Sequence, residues 1–65
     1  DNIVGKIVDH QVANGTLWMM CRWRGLTSAL DSLQKATILV EDCPDKVKEY
    51  YRHATHDPVL TEFMQ

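Results

Sequence analysis

Two periods run along this chain, and the change from one to the other divides it. Residues 3–8, Ile-Val-Gly-Lys-Ile-Val, are apolar and β-branched with one polar break, the composition of a strand. Asn14-Gly15 follows, and this pair suits a tight hairpin because both central residues of a type I′ turn need positive φ. A return strand over 16–24 then places Leu17, Met19, Cys21 and Trp23 on one face and Trp18, Met20, Arg22 and Arg24 on the other. Gly25 ends it, and 27–32 reads as a polar loop or a short turn of helix. The segment 33–40, "LQKATILV", is polar at its start and apolar at its end. It predicts a third strand, an edge strand that turns into the core.

Beyond residue 41 the apolar residues recur at helical spacing. Cys43, Val47, Tyr50, Tyr51 and Ala54 form one stripe, with Lys46, Lys48, Glu49 and Arg52 on the other side. Asp42 or Cys43 caps this helix and Pro44 occupies its first turn, where a missing N–H costs nothing. Acids at its start and Arg52 and His53 at its end match the helix dipole. A second, shorter helix is expected after Asp57-Pro58, with Asp57 as cap and Leu60, Phe63 and Met64 as its apolar side. The expected architecture is β-β-β-α, an α+β fold in which a three-stranded curled antiparallel sheet packs against a C-terminal α-helix. Residues 1–54 make the domain and 55–65 a tail.

Composition narrows the function classes. Sixty-five residues build one small domain with too little interior for a buried catalytic cavity. At 45% apolar and 25% charged residues the chain suits a folded domain rather than a disordered tail. The net charge of −2 argues against a nucleic-acid partner, which calls for a basic face. Arg22 and Arg24 are read instead as a solvated strand edge. The longest apolar runs are too short to cross a bilayer, so no membrane partner is expected. Cys21 and Cys43 sit among apolar residues and read as buried free thiols of a reducing compartment. His10, His53 and His56 lack metal-ligand spacing, and no serine, histidine and acid form a catalytic motif. The expectation is therefore a non-enzyme with no cofactor and no metal. The chain begins at Asp1, which reads as a segment of a longer protein or a tag-cleaved product.

Four pieces in order resemble a chromodomain: "VGKIVDH" from Val4 to His10, the Asn14-Gly15 turn, "CRWRGL" from Cys21 to Leu26, and "EDCPDKVKEYY" from Glu41 to Tyr51. The likeness covers residues 1–54. It implies an SH3-like partial barrel that holds an extended histone tail by strand addition, with a methylated lysine caged by three aromatic rings. Carried over by position, the cage retains only Trp23. Asn2 and Leu26 stand where the family has its other two rings, and Leu33-Gln34-Lys35 replaces its Trp-Glu-Pro run. One ring contributes roughly 0.5–1 kcal/mol to a cation, too little to select a methylated tail, so methyl-lysine binding is not carried over. This pattern of loss, with "EDCP" and "HDPVLTEF", is similar to the chromodomains at the C-terminus of gypsy-type long-terminal-repeat retrotransposon integrases. The resemblance then implies a nuclear chromatin-targeting module whose partner is a histone tail or another chromatin protein. Asn2, Ile3, Val4, Trp23 and Leu26 form its partner-binding surface.

Rival readings stand beside these. Trp23 fits a core tryptophan as well as a groove wall. Trp18 reads as packing beneath the C-terminal tail rather than as an exposed patch. Ile38, Leu39 and Val40 read as core, with the lining of a peptide groove as the lesser alternative. The alternative function is an assembly module of chromo-shadow type, a homodimer joined through its helix or edge strand. A single-stranded nucleic-acid platform of Trp18, Trp23, Arg22 and Arg24 is the third option, opposed by the acidic balance.

Overall fold

The computed structural model describes residues 2–54 and 56–65. Strand β1 (Val4–Ala13) turns at Asn14 and Gly15 into β2 (Thr16–Trp23). A single 3-10 turn (Ser28–Leu30) leads to β3 (Ser32–Lys35). Three helices follow: α1 (Ala36–Asp42), α2 (Pro44–His53) and α3 (Pro58–Met64). The three strands form one antiparallel sheet in the order β1-β2-β3, so β1 and β3 are its edges. The α+β class, with a three-stranded antiparallel sheet under helices, is as the sequence pattern predicts.

The hairpin turn has the expected geometry, with φ of 53° at Asn14 and 75° at Gly15. The sheet curls because β1 carries two register shifts, between Val4 and Lys6 and between Ile7 and Asp9. Gly5 and Val8 are the extra residues, and each bends the strand. They also change which residues face inward. Val4, Ile7 and His10 pair with Trp23, Cys21 and Met19, so β1 shows the core every third residue instead of every second. A side chain at Gly5 would meet the Arg22 carbonyl oxygen at 3.2 Å, so this bulge needs glycine's small size.

The segment 33–40 is not one strand. It leaves the sheet after Lys35 and becomes α1. Ala36 and Leu39 are buried and Cys43 packs against the core, a spacing of three and then four that only a helix satisfies. Thr37, Ile38 and Val40 face outward despite their β-branched side chains. Burial of the Ala36–Leu39 face overrides their strand preference. Ile38 and Val40 are thus surface residues, and only Leu39 of that trio is core.

Met19, Cys21, Ala36, Val47 and Leu60 are completely buried and centre the core. Helix α2 buries Val47, with Tyr50 and Tyr51 packed beside it. Helix α3 begins as its sequence predicts: Asp57 accepts the Val59 N–H at 2.9 Å and Pro58 follows the cap. Its Leu60 joins the same core as the sheet.

Trp18 does not lie beneath the tail. It pairs with Gln11 and Lys35 on the sheet face opposite the core residues Met19 and Cys21, with the Lys35 ammonium 5.9 Å from its ring centre. Trp18 and Trp23 therefore face opposite ways. A single aromatic platform that uses both is ruled out by the alternation of β2.

Candidate peptide-binding cleft

At the entry to β1 the chain still follows β2. The Arg24 N–H donates to the Ile3 carbonyl at 2.8 Å, which extends the pairing beyond Val4 and Trp23. Asn2, Ile3 and Val4 are held there as one wall of a cleft of about 430 Å³. Trp23 lines it from β2, and Ile38, Asp42, Cys43 and Lys46 line it from the α1–α2 junction. The cleft exists because Cys43 ends α1 and caps α2, with Pro44 starting the new helix one residue later.

Trp23 meets both of its readings. One side packs against the core, and its indole N–H donates to the Ser32 hydroxyl at 3.0 Å. Ser32 also accepts from the Gln34 amide at 3.3 Å. The ring is thus fixed by β3 while it still lines the cleft. Of the five residues expected at a partner surface, Asn2, Ile3, Val4 and Trp23 come together here. Leu26 lies beyond the Gly25 turn, with its N–H on the Trp23 carbonyl; it is exposed and off the cleft wall. Gln34, Asp42 and Lys46 escaped the sequence reading because their placement depends on α1 being helical.

A second furrow, about 690 Å³, continues along the same strand. Gly5, Lys6, Ile7 and Val8 line it on one side and Asp45, Glu49, Tyr50 and His53 of α2 on the other. Lys46 borders both cavities, so the outer edge of β1 is flanked from residue 2 to residue 8. Charges of both signs line this path. Glu49 is occupied by Arg52 and by His53, the latter at 3.3 Å. The far wall is helix, not strand. A helix has already satisfied its interior backbone groups, so only β1 can add a strand here.

Among the described residues, no buried side-chain nitrogen or oxygen lacks a hydrogen-bond partner. Arg22 makes a two-pronged contact with Asp31, 2.9 Å for each bond, and the guanidinium holds the Asp31 carboxyl below its usual 3.8. Cys21 and Cys43 are free thiols, and burial pushes Cys21 up to about 11. His10 lies among side chains of β1 and α2 rather than with His53, which is on the exposed face of α2. Among the described residues, no three histidine, cysteine or acidic side chains converge on a metal-sized site. No helix among the described residues is long and apolar enough to cross a membrane. No protein-family model matches the chain, and no curated protein matches it either.

Proposed function

We propose that this chain is a non-catalytic binding module of chromodomain type that docks an extended segment of a partner along the outer edge of β1. The observation that carries the reading is the cleft in which Asn2, Ile3 and Val4 face Trp23 and the α1–α2 junction, continued by the furrow along Gly5 to Val8. Residues 2–8 span roughly 20 Å, the reach of a short peptide, and an unpaired edge supplies main-chain donors and acceptors on either side of the Gly5 bulge. The proposed partner is a histone tail or another chromatin protein. The proposed setting is nuclear chromatin targeting, in the manner of the retroelement integrase chromodomains whose sequence pattern this chain resembles. Docking is one-sided, because Ala36–Asp42 is helical where a second strand would have clamped the peptide. Affinity is correspondingly low, and indifferent to lysine methylation because the cage keeps one ring.

Fluorescence anisotropy with labelled histone-tail peptides, methylated and unmethylated, tests this. Weak saturable binding with equal affinity for both forms is expected. An Asn2→Tyr variant separates cage from cleft. Asn2 is on the cleft wall with Trp23, so the variant gains preference for the methylated peptide. A folded variant with no gain removes the alignment of Trp23 with the cage. No binding to either peptide removes histone recognition. A concentration-dependent dimer in sedimentation equilibrium, together with that failure, supports the chromo-shadow alternative.

A further inference from the structure

At the far end of β1, His10 joins three elements. Its Nδ1 is 2.6 Å from the Tyr50 hydroxyl on α2, and its Nε2 is 2.6 Å from Oδ2 of Asp57, the cap of α3. The His10 and Tyr50 rings meet edge to face, with centroids 5.5 Å apart. Asp57 uses its other oxygen to accept the Val59 N–H. One carboxylate thus starts α3 and ties it to the sheet. The arrangement looks like a catalytic relay ending on a tyrosine, but burial raises the Tyr50 hydroxyl's pKa, the opposite of what an attacking phenolate needs.

We infer that α3 is a latch that opens as a unit while the sheet, α1 and α2 stay folded, and that the His10–Asp57 bond holds it shut. A seven-residue helix has no stability of its own. Leu60 is its one completely buried side chain, Phe63 and Met64 are half-buried, and Val59 is 48% exposed. Leu60 is a core residue with Phe63 and Met64 beside it. A terminal helix held by these three side chains still buries less than the sheet, α1 and α2 do together, and such an element opens below the free energy of global unfolding. An Nε2–H donates to the Asp57 carboxylate and leaves Nδ1 to accept the Tyr50 O–H. The groups facing the ring are Tyr50 from α2 and Asp57 ahead of α3, with Asp9 on β1 close enough to raise Tyr50's pKa. The tether lowers the pKa of Asp57. Its hydrogen bond from His10 and then that from the Val59 N–H hold its carboxyl below 3.8. The contribution is present above 3.8 and lost as pH falls through the lower folded value. Opening α3 breaks the Nε2–Asp57 bond and uncovers His10, while the His10–Tyr50 bond stays within the folded part. The inference does not depend on what the furrow binds.

Amide hydrogen exchange on the full chain, followed by NMR, tests the latch. Amides of Thr61 to Met64 are expected to exchange faster than those of Met19 and Cys21. Asn is as good a helix cap as Asp, so Asp57→Asn removes the charge on the tether but keeps the cap. It is expected to speed α3 exchange about tenfold and leave Met19 and Cys21 unchanged. His10→Gln, which keeps a donor for Asp57, gives a smaller acceleration confined to the same amides. Equal protection of α3 and β2 in the native protein, or an Asp57→Asn variant in which both change together or neither changes, overturns the inference.

Discussion

The two ends of β1 are treated in opposite ways. At Asn2, Ile3 and Val4 the strand borders an open cleft, and its neighbour across the gap is a helix junction that leaves the edge unpaired. At His10, six residues beyond Val4, both ring nitrogens are engaged, one by α2 and one by the cap of α3. The difference arises from the two bulges. Without the extra residues Gly5 and Val8, strict alternation would turn Ile7 away from the face shared by Val4 and His10. With them, Val4 reaches the Trp23 cleft, Ile7 the core and His10 the helices, all from one strand. A strand can thus offer an edge at one end and anchor the fold at the other, provided a bend separates the two.

The change that breaks this comparison most completely is Ile7→Ala. Ile7 is 6% exposed and sits between the bulges, so both ends rely on it. Urea denaturation is expected to show a loss of about 2–5 kcal/mol, a large part of the stability of so small a domain. Gly5→Ala comes next. The new methyl group meets the Arg22 carbonyl at 3.2 Å, and backbone must shift to admit it. We expect a loss of about 1 kcal/mol, with chemical-shift changes at Val4, Trp23 and Arg24 and none at Asp57. A change that reached His10 and Asp57 as strongly would mean that the bulge does not separate the ends. The smallest effect is electrostatic. Asp31 and Asp57 both have folded pKa values below 3.8, so stability holds as pH falls to about 4 and declines below it. Asp31→Asn removes only its own share of that decline, and acid titration followed by circular dichroism measures it. A variant curve identical to that of the native chain would show that the Arg22 pair contributes nothing.

The hairpin, the Pro44 helix and the Asp57-capped helix were legible because each has a local chemical signal: positive φ at Asn14-Gly15, a proline at a first helical position, an aspartate before a proline. The stretch 33–40 was not. Its β-branched residues favour a strand, and the decision against one comes from burial of Ala36 and Leu39 on the same side, which alternation cannot express. Asn2, expected at a partner surface, is on the cleft wall, whereas Leu26, expected there too, lies off that wall beyond the turn at Gly25. The His10 tether was invisible in sequence. Its partners are 40 and 47 residues away, and the bulges had to be known before His10 could be assigned to the inner face.

An NMR titration of the isotopically labelled chain with an unmethylated histone-tail peptide tests the central claim most directly. Shifts are expected at the amides of Asn2, Ile3 and Val4 and at the Trp23 indole, extending along Lys6 to Val8, with Trp18, Met20 and Leu33 on the opposite face unmoved. Shifts confined to that opposite face, or none at saturating peptide, would contradict it.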